Sequence, residues 1–168
     1  MMKVMGNILF KEEQHFRVKW LWWIIALCML SCIGLTVGLV MTEKEKIIQA
    51  WIAVLIVVPL EALIAWLMFI TKLVTVITSE GVFYKWFPFQ RSFSSFQTGD
   101  VERVELRKGP ALNYGFHWVP GYGKVHNLGP GKGFQFTLKN GKKIFIGTQK
   151  QSAFQHAIDK LTTVPRRV

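Results

Sequence analysis

Between residues 109 and 133 the chain places seven glycines in 25 residues, with lysines beside them in Gly121-Tyr122-Gly123-Lys124 and Gly129-Pro130-Gly131-Lys132-Gly133. Glycine lets a backbone approach an anion closely and lysine supplies the countercharge, so the chemistry suggested is a phosphate cradle. Neither lysine completes a Gly-x-x-x-x-Gly-Lys-Ser/Thr loop, and no Gly-x-Gly-x-x-Gly occurs there, which argues against a nucleotide site. What remains is a flexible loop bearing Lys124, His126 and Lys132, with Arg107 and Lys108 at its entrance and Tyr114, Trp118 and Tyr122 at its rim. Arg107, Lys108, Lys124, His126 and Lys132 are therefore the candidate site for an anion or a lipid head group, each Lys or Arg near an anionic surface contributing about 1 kcal/mol. The competing reading is that the basic excess serves only orientation and solubility.

Other reactive residue types are poorly combined. His117 and His126 stand nine positions apart with no acidic residue in the loop, so neither a metal site nor an acid–base dyad is expected. Cys28 and Cys32 share a helix face at i, i+4 inside an apolar run and read as small packing residues. Asp100 and Asp159 are the only aspartates, and no Ser/His/Asp or Cys/His arrangement presents itself. The expectation is no enzyme, no cofactor and no metal. Glu61 stands out for a different reason: it lies about 13 Å into an apolar helix, where a carboxylate needs a partner, a proton or water. A bond across a helix hairpin, aided by carbonyls freed at Pro59, is the structural reading; an ion pathway would need more polar groups than Gln49 supplies.

The elements that must position these groups fall into two halves. Residues 20–40 contain no charge, and 21 residues at helical rise span roughly 30 Å, the thickness of a bilayer core. Residues 47–70 are interrupted only by Gln49, Pro59 and Glu61. The polar stretch between them forces an antiparallel transmembrane hairpin. A Ser31-Cys32 lipoprotein-like junction is the rival reading of the first span, but the apolar run continues past it and a second span follows. Gly34 and Gly38 form a small-xxx-small pair that suits either packing within the hairpin or dimerisation.

The chain carries 21 Lys and Arg against 10 Asp and Glu, a net charge of +11. Lys3, Lys11, Arg17 and Lys19 precede the first span, and 15 basic residues against 5 acidic follow the second, whereas Lys44 and Lys46 at the tip are balanced by Glu43 and Glu45. This asymmetry predicts a multi-pass protein of the cytoplasmic (inner) membrane with both termini in the cytoplasm. The expected organisation is a cytoplasmic segment at 1–19, the hairpin at 20–70 and a cytoplasmic domain at 71–168.

Beyond residue 71 the pattern becomes short β-rich runs separated by turn residues. Strands are expected at 72–78, 82–87, 91–96, 101–107, within 114–119, at 133–138 and at 142–148. Asn140-Gly141 predicts a type I′ turn, and Phe154, Ala157, Ile158 and Leu161 recur at helical spacing in a final amphipathic helix over 151–163. The order predicts a mainly-β PH-like barrel of about seven antiparallel strands, closed by a C-terminal α-helix. Aromatics among basic residues, as in Phe83-Tyr84-Lys85-Trp86-Phe87, would alternate into such a core, so nucleic acid is not an expected partner.

The hairpin followed by residues 75–82 (Thr-Val-Ile-Thr-Ser-Glu-Gly-Val), 100–104 (Asp-Val-Glu-Arg-Val), 133–138 (Gly-Phe-Gln-Phe-Thr-Leu), the Asn140-Gly141-Lys142-Lys143 turn and Ile144-Phe145-Ile146-Gly147-Thr148-Gln149 resembles small bacterial membrane proteins with a bacterial PH-like domain. The resemblance covers nearly the whole chain and implies architecture and membrane context; it carries over no catalytic residue. The functional expectation is a protein-interaction or assembly module, in contact with anionic membrane lipid and with a protein partner or a second copy of itself. The alternative is a stress- or transport-related membrane component with a specific ligand site at the glycine-rich loop or Glu61.

Overall fold

The computed structural model describes residues 5–16, 19–42, 47–110, 114–129 and 131–163. It comprises two compact units: the paired helices α1 (Lys19–Thr42) and α2 (Ile47–Ile70), and a β-unit that joins strand β1 (Ile8–His15) to the chain from Thr71 onward. The segments Trp22–Leu39 and Trp51–Ile70 are long and apolar enough to cross a bilayer. Leu27, Leu35, Leu55 and Leu60 are among many large apolar side chains that the helix pair leaves exposed, as expected of helices that meet an apolar phase on most sides. The expected tip at 43–46 lies outside the described residues.

The β-unit adds β2 (Lys72–Thr78), β3 (Gly81–Phe87), β4 (Ser94–Gln97), a 3-10 turn (Thr98–Asp100), β5 (Val101–Lys108), β6 (Tyr114–Val119), β7 (Gly123–Leu128), β8 (Lys132–Leu138), β9 (Lys143–Gly147) and helix α3 (Gln151–Thr163). Its strands form two sheets, in the orders β1-β2-β3-β4 and β5-β8-β9-β7-β6.

This corrects the expected seven-stranded closed barrel in three respects. The sheets are separate because the 3-10 turn carries the chain out of the first, and β5, with five charged residues among its eight, is an unpaired edge rather than a seam. The pairing is mixed, since β7 runs parallel to β9. Finally, the first sheet begins with a strand from before the helices: β1 pairs antiparallel with β2, and His15 lies opposite Lys72.

β1 escapes a search for apolar alternation because its inward face is Phe10, Glu12 and Gln14, two of the three polar. Glu12 is nonetheless buried, its carboxylate accepting hydrogen bonds from the Thr148 hydroxyl at 2.7 Å and the Gln149 N–H at 2.8 Å. Gln14 donates to the Gly147 carbonyl. The N-terminal strand is thus bonded to the connection between β9 and α3.

β2 is apolar on both faces because both are covered. Leu73 and Ile77 enter the main core, while Val74 and Val76 pack with Phe83 in a second cluster. Phe154, Ala157, Ile158 and Leu161 of α3 complete the main core at i, i+3, i+4, i+7 spacing. The Phe154 ring stacks on Phe134 with centroids 4.5 Å apart and meets the edge of Phe10 at 5.2 Å, linking both sheets through one side chain.

The turn between β8 and β9 is not type I′. Among the described residues only glycines have positive φ, so Asn140 does not, whereas Gly141 does (+77°). The Gly141 N–H donates to the Leu138 carbonyl at 2.8 Å and the Leu138 N–H to the Lys142 carbonyl at 2.9 Å, which closes a three-residue loop with glycine at the left-handed position.

Candidate functional site

The two sheets leave a cleft between the β3–β4 side of one and the β6–β7 hairpin of the other. One part of it, about 580 Å³, is lined by Tyr84, Ser95 and Phe96, by Trp118, Gly123 and Lys124, and by Asn140, Lys142, Lys143 and Ile144, with Asp100 at its side. A more open neighbouring hollow shares Tyr84, Ser95 and Lys124 and adds Arg91, Ser92, Phe93 and Ser94. Four cations therefore line the combined cleft, Arg91, Lys124, Lys142 and Lys143, against the single carboxylate of Asp100. No described carboxylate forms an ion pair with any of the four.

β6 falls where a strand was expected within 114–119, whereas β7 occupies sequence expected to be a flexible glycine-rich loop. One of its glycines serves packing: Gly123 has φ +74°, and a Cβ there would collide with the Lys143 carbonyl, so the hairpin can lie against β9 only with glycine at this position. Gln135 holds the hairpin's turn, its side-chain amide donating to the carbonyls of Gly121 at 3.1 Å and Tyr122 at 3.0 Å. Lys124 sits opposite Trp118 across the hairpin, and the Trp118 ring is 67% exposed. The cleft thus combines cations with a free aromatic face and hydroxyls from Tyr84, Ser92 and Ser94.

Of the five cationic residues expected to act together, only Lys124 lines this cleft. Arg107 donates to the Gln135 side-chain carbonyl and lies 4.5 Å over the Tyr122 ring, so it braces the turn. Lys108 and Lys132 face each other across the β5–β8 ladder, both exposed, away from the cleft lining.

His126 is buried, 2% exposed, and is no surface cation. The Trp86 indole N–H donates to its Nδ1 at 2.9 Å, and the rings of Tyr84 and Phe116 lie 4.4 and 4.8 Å away. Burial first, then the charges of Lys124 and His117, push its pKa down to about 4. His117 falls on the opposite face of the hairpin, because Phe116 rather than His117 is the cross-strand partner of His126.

No family model, curated protein or solved structure matches this chain. The cleft must therefore be read from its own chemistry. Arg91, Lys142 and Lys143 were absent from the expected site, although adjacent lysines directly after a hairpin turn are a visible signal that charge is concentrated at a strand end.

In the helix pair, the Cys32 thiol faces the Glu61 carboxylate across the hairpin at 3.8 Å, and the Thr36 hydroxyl donates to the Cys32 carbonyl at 2.8 Å. Glu61 thus has a thiol neighbour on the facing helix, and its second carboxylate oxygen has no described partner. A Cβ built on Gly34 or Gly38 meets nothing within 4 Å, so these glycines do not set the approach of α1 to α2.

Proposed function

We propose that this is an integral membrane protein in which α1 and α2 form a transmembrane hairpin and the β-unit lies in the cytoplasm as a binding module for phosphate-bearing anions. The observation that carries the reading is the inter-sheet cleft, where Lys124, Lys142 and Lys143 line one hollow and Lys124 and Arg91 line the open hollow beside it, with Asp100 as the only carboxylate among the described lining residues. Like charges gathered along two adjoining hollows repel one another, and an anion relieves that repulsion while gaining hydroxyl donors and the Trp118 face. The basic flanks of the spans support a cytoplasmic placement.

The module binds and does not catalyse: the cleft supplies cations, hydroxyls and one exposed carboxylate, with His126 shielded behind Tyr84 and Trp86. Kinship with bacterial PH-like membrane proteins belongs to the same proposal, supported by the run of strands ending in a helix that packs on the core. Assembly with a protein partner or a second copy would follow from an occupied cleft presenting a changed surface.

The test uses the full chain in nanodiscs. One arm titrates pyrophosphate into protein held in neutral phosphatidylcholine; the other replaces part of that lipid with phosphatidylglycerol and reads pyrophosphate competition. Binding that weakens with salt and is lost in Lys124→Glu/Lys143→Glu supports the reading, and competition by the anionic lipid assigns the phosphate to a head group. Equal binding by wild type and variant overturns it.

A further inference from the structure

The β3–β4 connection presents two exposed phenylalanines on a braced turn. Phe87 is 42% and Phe89 67% exposed. Gln90 closes the turn from both sides: its N–H donates to the Trp86 carbonyl at 2.7 Å and its side-chain oxygen accepts from the Trp86 N–H at 3.1 Å. A soluble surface gains nothing by fixing two phenyl rings into water, since each carries a large apolar area with no polar tip.

Covalent geometry says what lies beside them. α2 ends at Ile70 and β2 begins at Lys72, so one residue, Thr71, separates the helix from the sheet. β1 ends at His15 and α1 begins at Lys19, so three residues separate them, a reach of about 14 Å at full extension. His15 and Lys72 are paired, and Lys72 is paired with Phe87 on the other side. The three strand ends therefore form one edge of the sheet, with neighbouring strands about 4.8 Å apart, and the chain passes into the helices from two of them. β3 runs antiparallel to β2, so the turn after Phe87 projects beyond that same edge. Basic side chains lie near this turn: the Lys72 ammonium is 5.7 Å from the Phe87 ring, the Lys85 ammonium is 4.8 Å from the ring of Phe93 at the turn's far end, and Arg91 lies within the turn.

We infer that the β3–β4 turn is a bilayer-contact element, with Phe87 and Phe89 inserted at the boundary between head groups and acyl chains and Lys72, Lys85 and Arg91 at head-group level. This rests on the proposal that α1 and α2 span the membrane. Phenyl rings below and bases above is the amphipathic arrangement of interfacial segments. The contact would hold the sheet edge against the membrane at a third point besides the two chain connections.

The test labels Phe89→Cys with the environment-sensitive dye NBD in full-length protein carrying Cys28→Ala and Cys32→Ser, reconstituted in phosphatidylcholine vesicles containing head-group-proximal doxyl lipid. Glu80→Cys, at the far end of β2 and some 20 Å away at strand rise, is the control. The expected result is a blue-shifted emission at position 89, quenched by about twofold or more, with position 80 unaffected. Circular dichroism identical to wild type shows that the label has not unfolded the sheet. Unquenched emission at 89 in protein that resists carbonate extraction overturns the inference and leaves the membrane reading standing. Release of the protein by carbonate overturns both.

Discussion

Acidification should destabilise the β-unit through His126. Its side chain is sealed between Tyr84, Trp86 and Phe116, with Lys124 and His117 as the nearby charges opposing a further proton, and its folded pKa is about 4 against 6.5 for the free side chain. A basic group whose folded pKa is depressed is protonated first in the unfolded chain. It therefore contributes full stability above pH 6.5, and that stability drains away as the pH falls towards 4. Between pH 7 and pH 4.5 the loss from this residue is about 2 to 3 kcal/mol, a large share of a domain stability on the order of 5–15 kcal/mol. Urea unfolding of the full chain in nanodiscs, followed by near-UV circular dichroism at the two pH values, reads the loss. His126→Gln keeps an acceptor for the Trp86 indole but does not titrate, so its stability should be lower overall and flatter with pH. A variant as pH-sensitive as wild type, or a wild-type His126 that titrates near 6.5 by NMR, would refute the reasoning.

Three further outcomes follow from the packing. Glu12→Ala removes the acceptor of two hydrogen bonds to a buried carboxylate and should cost about 3–5 kcal/mol, with Thr148→Val costing less and the double variant less than the sum; urea midpoints measure all three. Phe154→Ala empties the contact among Phe10, Phe134 and α3 and should cost about 3–5 kcal/mol, read as faster hydrogen exchange in β8 and α3 alike. Gly123→Ala meets the Lys143 carbonyl at a positive φ and should loosen the β6–β7 hairpin, raising proteolysis near residues 119–124 while β2 and β3 stay protected.

What was legible in the sequence follows the strength of the physical signal at each segment. The two apolar helices and α3 stand out because twenty-odd uncharged residues, or a 3.6-residue stripe, have few other solutions. β2, β3, β8 and β9 were visible because apolar β-formers bounded by turn residues are concentrated there. β1 was hidden because Glu12 and Gln14 occupy the inward positions that an apolar pattern would mark, and they are tolerated only by partners some 130 residues away in sequence. β7 was hidden because Gly121, Gly123 and Gly129 read as loop, whereas Gly123 lets the hairpin lie close against β9.

The cleft was legible only in Lys124. Its other cations come from the β3–β4 turn and the β8–β9 turn, which the two-sheet arrangement brings together, and a barrel expectation gave no reason to group them. His126 shows the converse: it shares the face of β7 that carries Lys124, as its spacing of two suggested, but the rings of Tyr84, Trp86 and Phe116 cover it and make it part of the core.

The central claim, that the inter-sheet cleft binds phosphate-bearing anions, is tested most directly by hydrogen-exchange footprinting of the full chain in neutral nanodiscs with and without saturating pyrophosphate. Slower exchange in peptides covering 91–96, 118–126 and 138–144, abolished by Lys124→Glu/Lys143→Glu, is the result predicted. Protection confined to 103–108 and 131–133, around Arg107, Lys108 and Lys132, or no protection at all, would contradict it.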